Sequence, residues 1–246
     1  MHKNLGGFVL NIIISLLFVV GAIAAGDTGR GGSLGDALSQ RKKTFTEKMP
    51  KEVIALHEKN IEDMKGSGLE KKALNVGKKA PDVMINFHGE KRALSQVYSR
   101  GPVVLKFYRG GWCPYCMTEL KHYDNMIEEF KKAGAQVLAF APDTEAMSRK
   151  TQSTHDLSFD VLSDEGHAIA RQFGLVYKMD DKVVEGLKKN GIDVTLYQGN
   201  DKKELSIPAT YVIGQDGSIA FAYVDADYRQ RAEPEDVLKA VKALKK

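Results

Sequence analysis

Val103-Val-Leu-Lys-Phe-Tyr-Arg-Gly-Gly-Trp-Cys-Pro-Tyr-Cys116 is the stretch on which the reading of this chain turns. Its first part, Val103 to Tyr108, is short, mostly apolar and rich in β-branched and aromatic residues after Gly101-Pro102, which predicts a buried strand. From Pro114 to about Lys132 the residues Leu120, Tyr123, Ile127 and Phe130 recur at helical steps and form one apolar stripe, which predicts a helix. Cys113 and Cys116 therefore fall where a strand ends and a helix begins. Free amide donors and the positive end of the helix dipole favour an anion at such a point. A cysteine there has a lowered pKa and more of its reactive thiolate form. Pro114 suits the first helical turn and stiffens the short ring between the sulfurs. Arg109 brings positive charge close by, and Trp112 is placed to screen one side from water.

These are the only two cysteines among 246 residues. A disulfide gains more by closing a long loop, and this pair closes almost none, so a scaffold of disulfides is excluded. A redox dithiol, half of a metal site and an inert buried pair are the readings left. Zinc asks for about four ligands. A second CxxC is missing, and His2, His57, His88, His122, His155 and His167 are scattered without ligand spacing. Covalent haem attachment needs a histidine after the second cysteine, where Met117 stands. The pattern favours redox chemistry, with no metal and no cofactor expected.

Working outward, Gln136 to Ala141 predicts the next strand, Asp143 a helix cap, and Asp164 the cap of a further helix ending at Gly174. Alternating strands and helices argue for a βαβ unit and a sheet that is at least partly parallel. Ala209 to Ile213, the turn Gly214-Gln-Asp-Gly217 and Ser218 to Val224 predict a hairpin. A last helix is predicted over Glu233 to Lys246, with Pro234 in its first turn. Residues 176 to 206 resist assignment and read as an irregular insertion. Upstream, Gly26 to Gly35 reads as a flexible linker. Leu38 to about Leu74 reads as amphipathic helix broken at Pro50 and at Gly66-Ser-Gly68. Its bland role is an extension packed on the main domain; the alternative is a dimerisation or partner helix, which leaves oligomerisation open.

Residues 1–25 have the pattern of a signal peptide. Phe8 to Val20 is mostly apolar, and Ala22-Ile-Ala24 fits the small-x-small cleavage rule. The expected location is therefore exported, periplasmic or secreted, where disulfides persist and a reducing function needs a dedicated donor. The membrane is involved only through this segment, should it stay uncleaved as an anchor. A formal net charge of +4 from interspersed Lys, Asp and Glu gives no basic face, so nucleic acid is not an expected partner.

With these residues in hand, the chain over about 74 to 245 resembles the thioredoxin superfamily, and within it the peroxiredoxin-like (alkyl hydroperoxide reductase/thiol-specific antioxidant) branch. The landmarks are Val76-Gly-Lys-Lys-Ala-Pro-Asp82, Phe107 to Leu120, Ile207-Pro-Ala-Thr-Tyr-Val-Ile213 and Asp227-Tyr-Arg-Gln-Arg-Ala-Glu-Pro234. The resemblance implies a thioredoxin-like three-layer α/β/α domain with a mixed sheet over residues 76–246, preceded by a linker and helical extension over 26–75. It implies a thiol peroxidase acting on hydrogen peroxide or organic hydroperoxides and restored by a thioredoxin- or glutathione-type reductant. Pro208 matches the family's cis-proline beside the redox centre. Aligning Cys116-Met-Thr-Glu-Leu120 with the family's Cys-x-Thr-Glu puts Cys116 at the peroxide-reacting position, with Cys113 left to resolve it. Arg109 then replaces the usual proline and Cys113 the usual threonine. Arg109, Trp112, Tyr115 and Pro208 are the candidate substrate contacts; the family's transition-state arginine is not placed, and Arg109 stands in by proximity. Glu119 reads as a proton acceptor or as an exposed first-turn glutamate. Cys-Pro-Tyr-Cys is also the glutaredoxin dithiol, so a thiol–disulfide oxidoreductase with Cys113 attacking is the alternative. A non-enzymatic redox-sensing module is a third.

Overall fold

The computed structural model describes residues 32–244; the signal-peptide reading of residues 1–25 lies outside them. The described residues begin with three helices, α1 (Leu34–Lys48), α2 (Lys51–Gly66) and α3 (Leu69–Lys72). A short hairpin follows, β1 (Met84–Phe87) and β2 (Glu90–Ala93), and then α4 (Leu94–Tyr98). The centre runs β3 (Val103–Phe107), α5 (Pro114–Asn125), α6 (Ile127–Lys132), β4 (Gln136–Ala141), α7 (Glu145–Thr154), β5 (Asp160–Ser163) and α8 (Ala168–Gln172). Next come β6 (Val176–Lys178), α9 (Asp181–Lys189), α10 (Val194–Gln198) and β7 (Glu204–Ser206), and the chain closes with β8 (Ala209–Ile213), β9 (Ile219–Val224) and α11 (Pro234–Ala243).

The main sheet has the order β5-β4-β3-β8-β9. β4 runs parallel to both β3 and β5, while β8 is antiparallel to β3 and to β9, so the sheet is mixed. All five residues of β3 are buried, as a central strand with helices on both faces requires. Side chains alternate across it. Val104 joins a core with Leu120, Tyr123 and Phe130 of α5 and α6, and Val237 and Val241 of α11. Val103, Leu105 and Phe107 join a second core with Leu94 of α4, Ile169 of α8 and Phe173. Three layers result, helices over sheet over helices, and the thioredoxin-like fold expected from the resemblance is the fold observed.

Several local expectations need correction. The linker ends earlier than its composition suggests, because Ser33 caps α1 by accepting from the Asp36 amide at 3.1 Å. The long helix after Pro114 is two helices, since Met126 (φ −108°, ψ 11°) leaves helical geometry between them. Thr144, not Asp143, caps α7 by accepting from the Met147 amide. Residues 176–206 are ordered rather than irregular: β6 pairs with β7, and Met179, Val183, Leu187, Val194 and Leu205 form a small core of their own. Among the described residues every peptide bond is trans, so Pro208 lacks the cis bond the resemblance implied. The trans form is the intrinsically preferred one by about 0.5–1 kcal/mol.

The helical extension is built into the core rather than laid on it. Leu34, Leu38 and Ile61 pack in the same cluster as both cysteines, and Met64 and Leu69 pack in the opposite one. Glu233, just ahead of α11, accepts from the amides of Leu34 at 3.0 Å and Gly35 at 2.7 Å and so holds the open N-terminus of α1. Replacing it, as Glu233→Gln, weakens that hold by about 1 kcal/mol. Amide exchange over residues 34–48 should then quicken several-fold while β3 and β8 stay protected; unchanged exchange in α1 would show that the clamp contributes nothing.

Candidate active site

Between β3 and α5 the backbone turns through Tyr108, Arg109, Gly110 and Gly111. Gly110 sits at φ +143°, and a Cβ there would meet Trp112 Nε1 at 2.4 Å and Asp143 Oδ1 at 2.9 Å. At Gly111 a Cβ would meet Thr151 Oγ1 at 2.1 Å. Both positions therefore demand glycine. Asp143, from the end of β4, accepts the Gly111 amide at 2.8 Å and fixes the turn. Cys113 becomes the N-cap of α5, Pro114 its first residue, and Cys116 lies in its first turn. The two sulfurs are free thiols 2.8 Å apart and fully buried.

Burial by itself disfavours a thiolate. Against it, Cys113 receives hydrogen bonds from the Cys116 thiol and amide and faces the charges of Arg109 and Arg231, which together bring it down to about 6. Cys116 is pushed well up, first by burial and then by the thiolate beside it. At neutral pH the pair thus holds one proton and one negative charge, resting on Cys113. Arg109 lies over the rings of Tyr228, at 4.1 Å, and Trp112, at 4.8 Å, which holds its planar guanidinium in place.

The other sulfur faces a buried ion network. Arg231 Nη2 lies 3.6 Å from Cys116 Sγ, and Arg231 Nε donates to Glu119 Oε2 at 2.9 Å. The second oxygen of Glu119 accepts from Lys106 Nζ. Lys106 also donates to Thr210 Oγ1 at 2.6 Å and sits 3.8 Å above the Tyr123 ring. Burial lowers Lys106 to about 8, and the Glu119 carboxylate limits the fall.

Cys113, Cys116, Arg109, Trp112 and Tyr115 are thus brought together. Tyr115 packs its ring edge-on against Tyr228 at 5.6 Å, within the core rather than toward open solvent. Pro208 is buried directly ahead of β8, whose Ala209 pairs with Phe107 where the active turn begins. Arg231, Lys106 and Asp143 are the site residues that sequence reasoning misses, and Glu119 proves buried, not exposed. A signal existed for two of them. Arg231 belongs to the Asp227–Pro234 landmark, and Lys106 is the one charge inside an otherwise apolar strand.

Comparison with known proteins adds the following. Residues 76–222 match the model of the AhpC/TSA family. The chain is 30% identical over 141 residues to the chloroplastic peroxiredoxin Q of Arabidopsis thaliana, covering 56% of this chain and 65% of that protein. It is 27% identical over 124 residues to the thiol-disulfide oxidoreductase ResA of Bacillus cereus, covering 47% and 70%. It spans about two thirds of the length of the curated relatives it matches. In three dimensions it is similar to peroxidoxin BcpB from Mycobacterium tuberculosis, with a TM-score of 0.54 and 22% identity over 69% of this chain and 97% of that one, a likeness of fold.

Two measurements follow from this geometry. Cys113 is lowered on folding, so its thiolate is present above about pH 6 and lost below it. Thiolate absorbance should titrate near there and move up toward the ordinary cysteine value of about 8.5 in Arg109→Gln; an unmoved midpoint would remove Arg109 from the electrostatics. Lys106→Met should cost roughly 3–5 kcal/mol by leaving Glu119 one partner short, with much of the loss recovered when Glu119→Gln is added. Additive losses in urea unfolding would rule out the coupling.

Proposed function

The chain belongs to the AhpC/TSA family, and from that premise we propose that it is a thiol-dependent peroxidase whose Cys113–Cys116 dithiol reduces hydrogen peroxide or organic hydroperoxides. The observation that carries the reading is the pair of buried sulfurs 2.8 Å apart, with Arg231 Nη2 3.6 Å from the sulfur of Cys116. Peroxide cleavage builds negative charge on the departing oxygen, and a fixed guanidinium beside the attacking sulfur is the group that stabilises it.

Cys113 sulfur, at 2.8 Å, takes the proton of Cys116 and shifts the thiolate to the side facing Arg231. Cys116 attacks the terminal peroxide oxygen; the O–O bond breaks, an S–O bond forms, and the alkoxide or hydroxide leaves and takes up a proton. The sulfenic acid on Cys116 then condenses with the Cys113 thiol, forming the disulfide and releasing water. Cys113 is the only other cysteine of the chain and hence the only internal resolver. Two electrons have passed from the dithiol to the peroxide. A thioredoxin-type donor, or a glutathione-type one, returns them by thiol–disulfide exchange. We keep the export of the chain as part of this proposal, supported by the apolar run Phe8 to Val20 and Ala22-Ile-Ala24.

A specific arrangement favours a second reading: the Cys116 thiol hydrogen-bonds to Cys113, and Arg109 and Arg231 draw down the pKa of Cys113, the sulfur that attacks in a thiol–disulfide oxidoreductase. Single-turnover mixing with hydrogen peroxide separates the two. Cys113→Ser should react and accumulate a sulfenic acid that dimedone traps, whereas Cys116→Ser should be inert. The reverse pattern moves the attack to Cys113. If neither variant nor the parent reacts while the parent reduces insulin disulfides, the chain is an oxidoreductase and not a peroxidase.

A further inference from the structure

Asp143 is fully buried behind the active turn. Its Oδ2 accepts the Gly111 amide, but Oδ1 is buried without a hydrogen-bond partner. Oδ1 and the indole Nε1 of Trp112, which is likewise buried and unpartnered, both border the space over Gly110. The Tyr108 hydroxyl, from the end of β3, is close enough to feel the Asp143 charge. Glu145, at the start of α7, meets His88 and Arg149 through Oε1, while its Oε2 is buried without a hydrogen-bond partner. Ser163, from the end of β5, donates to the Asp143 carbonyl and not to its side chain. The charge that acts on the carboxyl is the thiolate of Cys113, which has the same sign. An ionised carboxylate with one oxygen undonated is costly in so dry a place. Burial raises the group, the Gly111 amide lowers it, and the Cys113 charge raises it again, to about 7.

The peroxidase reaction leaves a proton to be found. A dithiol with one proton, reacting with one hydroperoxide, gives a disulfide, an alcohol and water only if one further proton is supplied. Resting on that reading for the oxidation it serves, we propose that Asp143 is a redox-linked proton store of the dithiol, protonated while the pair carries a thiolate and ionised once that charge is consumed in the disulfide. The balance is then complete: thiol, thiolate, carboxylic acid and hydroperoxide become disulfide, carboxylate, alcohol and water. Asp143 is a positioning residue, acting on the sulfurs through their shared field and through the turn that presents Cys113. The sign is fixed by Coulomb's law, since loss of a neighbouring negative charge makes a carboxyl more acidic.

Infrared difference spectroscopy of the full chain, reduced against oxidised, tests this just below the carboxyl's midpoint of about 7. The oxidant is diamide, so the readout does not depend on peroxide. The expected result is a protonated-carboxyl carbonyl band in the reduced protein that is lost in the disulfide form, shifted in Asp143→Glu and absent in Asp143→Asn. No carboxyl change on oxidation, or a change that persists in Asp143→Asn, overturns the proposal; should that variant fail to fold, an unshifted band in Asp143→Glu overturns it instead. A carboxyl signal with diamide in a protein that peroxide does not oxidise sinks the peroxidase reading and leaves the proton store standing.

Discussion

Glu119 holds two buried cations at once, and strand β3, helix α5 and the segment entering α11 are joined through it. Charges taken out of water are tolerated only when paired and hydrogen-bonded. Lys106 and Arg231 bring two positive charges into the core, and Glu119 supplies one negative charge in return. The positive charge left over, together with that of the buried Arg109, faces the dithiol. Packing and thiol ionisation therefore share one electrostatic environment: the buried guanidiniums of Arg109 and Arg231 favour a thiolate on Cys113, and that thiolate offsets part of their charge.

The N-terminal helices complete this arrangement from outside the sheet. Leu34 and Leu38 pad the core around the cysteines, and Arg41 donates to Thr118 on α5. From α2, His57 meets the Tyr228 hydroxyl at 3.1 Å and Glu58 pairs with Arg229. Tyr228 is also the ring on which Arg109 rests. Contacts from the extension thus reach the dithiol in two steps, which explains how a CxxC that opens a helix is nonetheless sealed from solvent.

Much of this was legible in the sequence, because it depends on local patterning. The run Val103–Phe107, the stripe Leu120, Tyr123, Ile127, Phe130 and the Gly214–Gly217 turn each specify an element through neighbours a few residues away. The site itself was legible only where it is contiguous, from Arg109 to Cys116. Arg231 is 115 residues from Cys116, and no spacing rule connects them. Lys106 looked like an interruption of an apolar strand; its partners lie on α5 and β8 and come together only when the layers close. Asp143 carried a misleading local signal, since an aspartate before a helix usually caps it. Here Thr144 takes that role, and the aspartate turns back to the active turn. Within 176–206 the strands are only three residues each, too short for alternation to declare itself.

Trp112 is the single tryptophan of the chain. Its indole lies under the Arg109 guanidinium, next to Asp143 and one residue from Cys113. Indole emission responds to nearby charge, and the groups around this ring are the sulfur pair, Arg109 and Asp143. The one indole of the chain thus sits in the field of the groups whose charge changes when the sulfurs are oxidised.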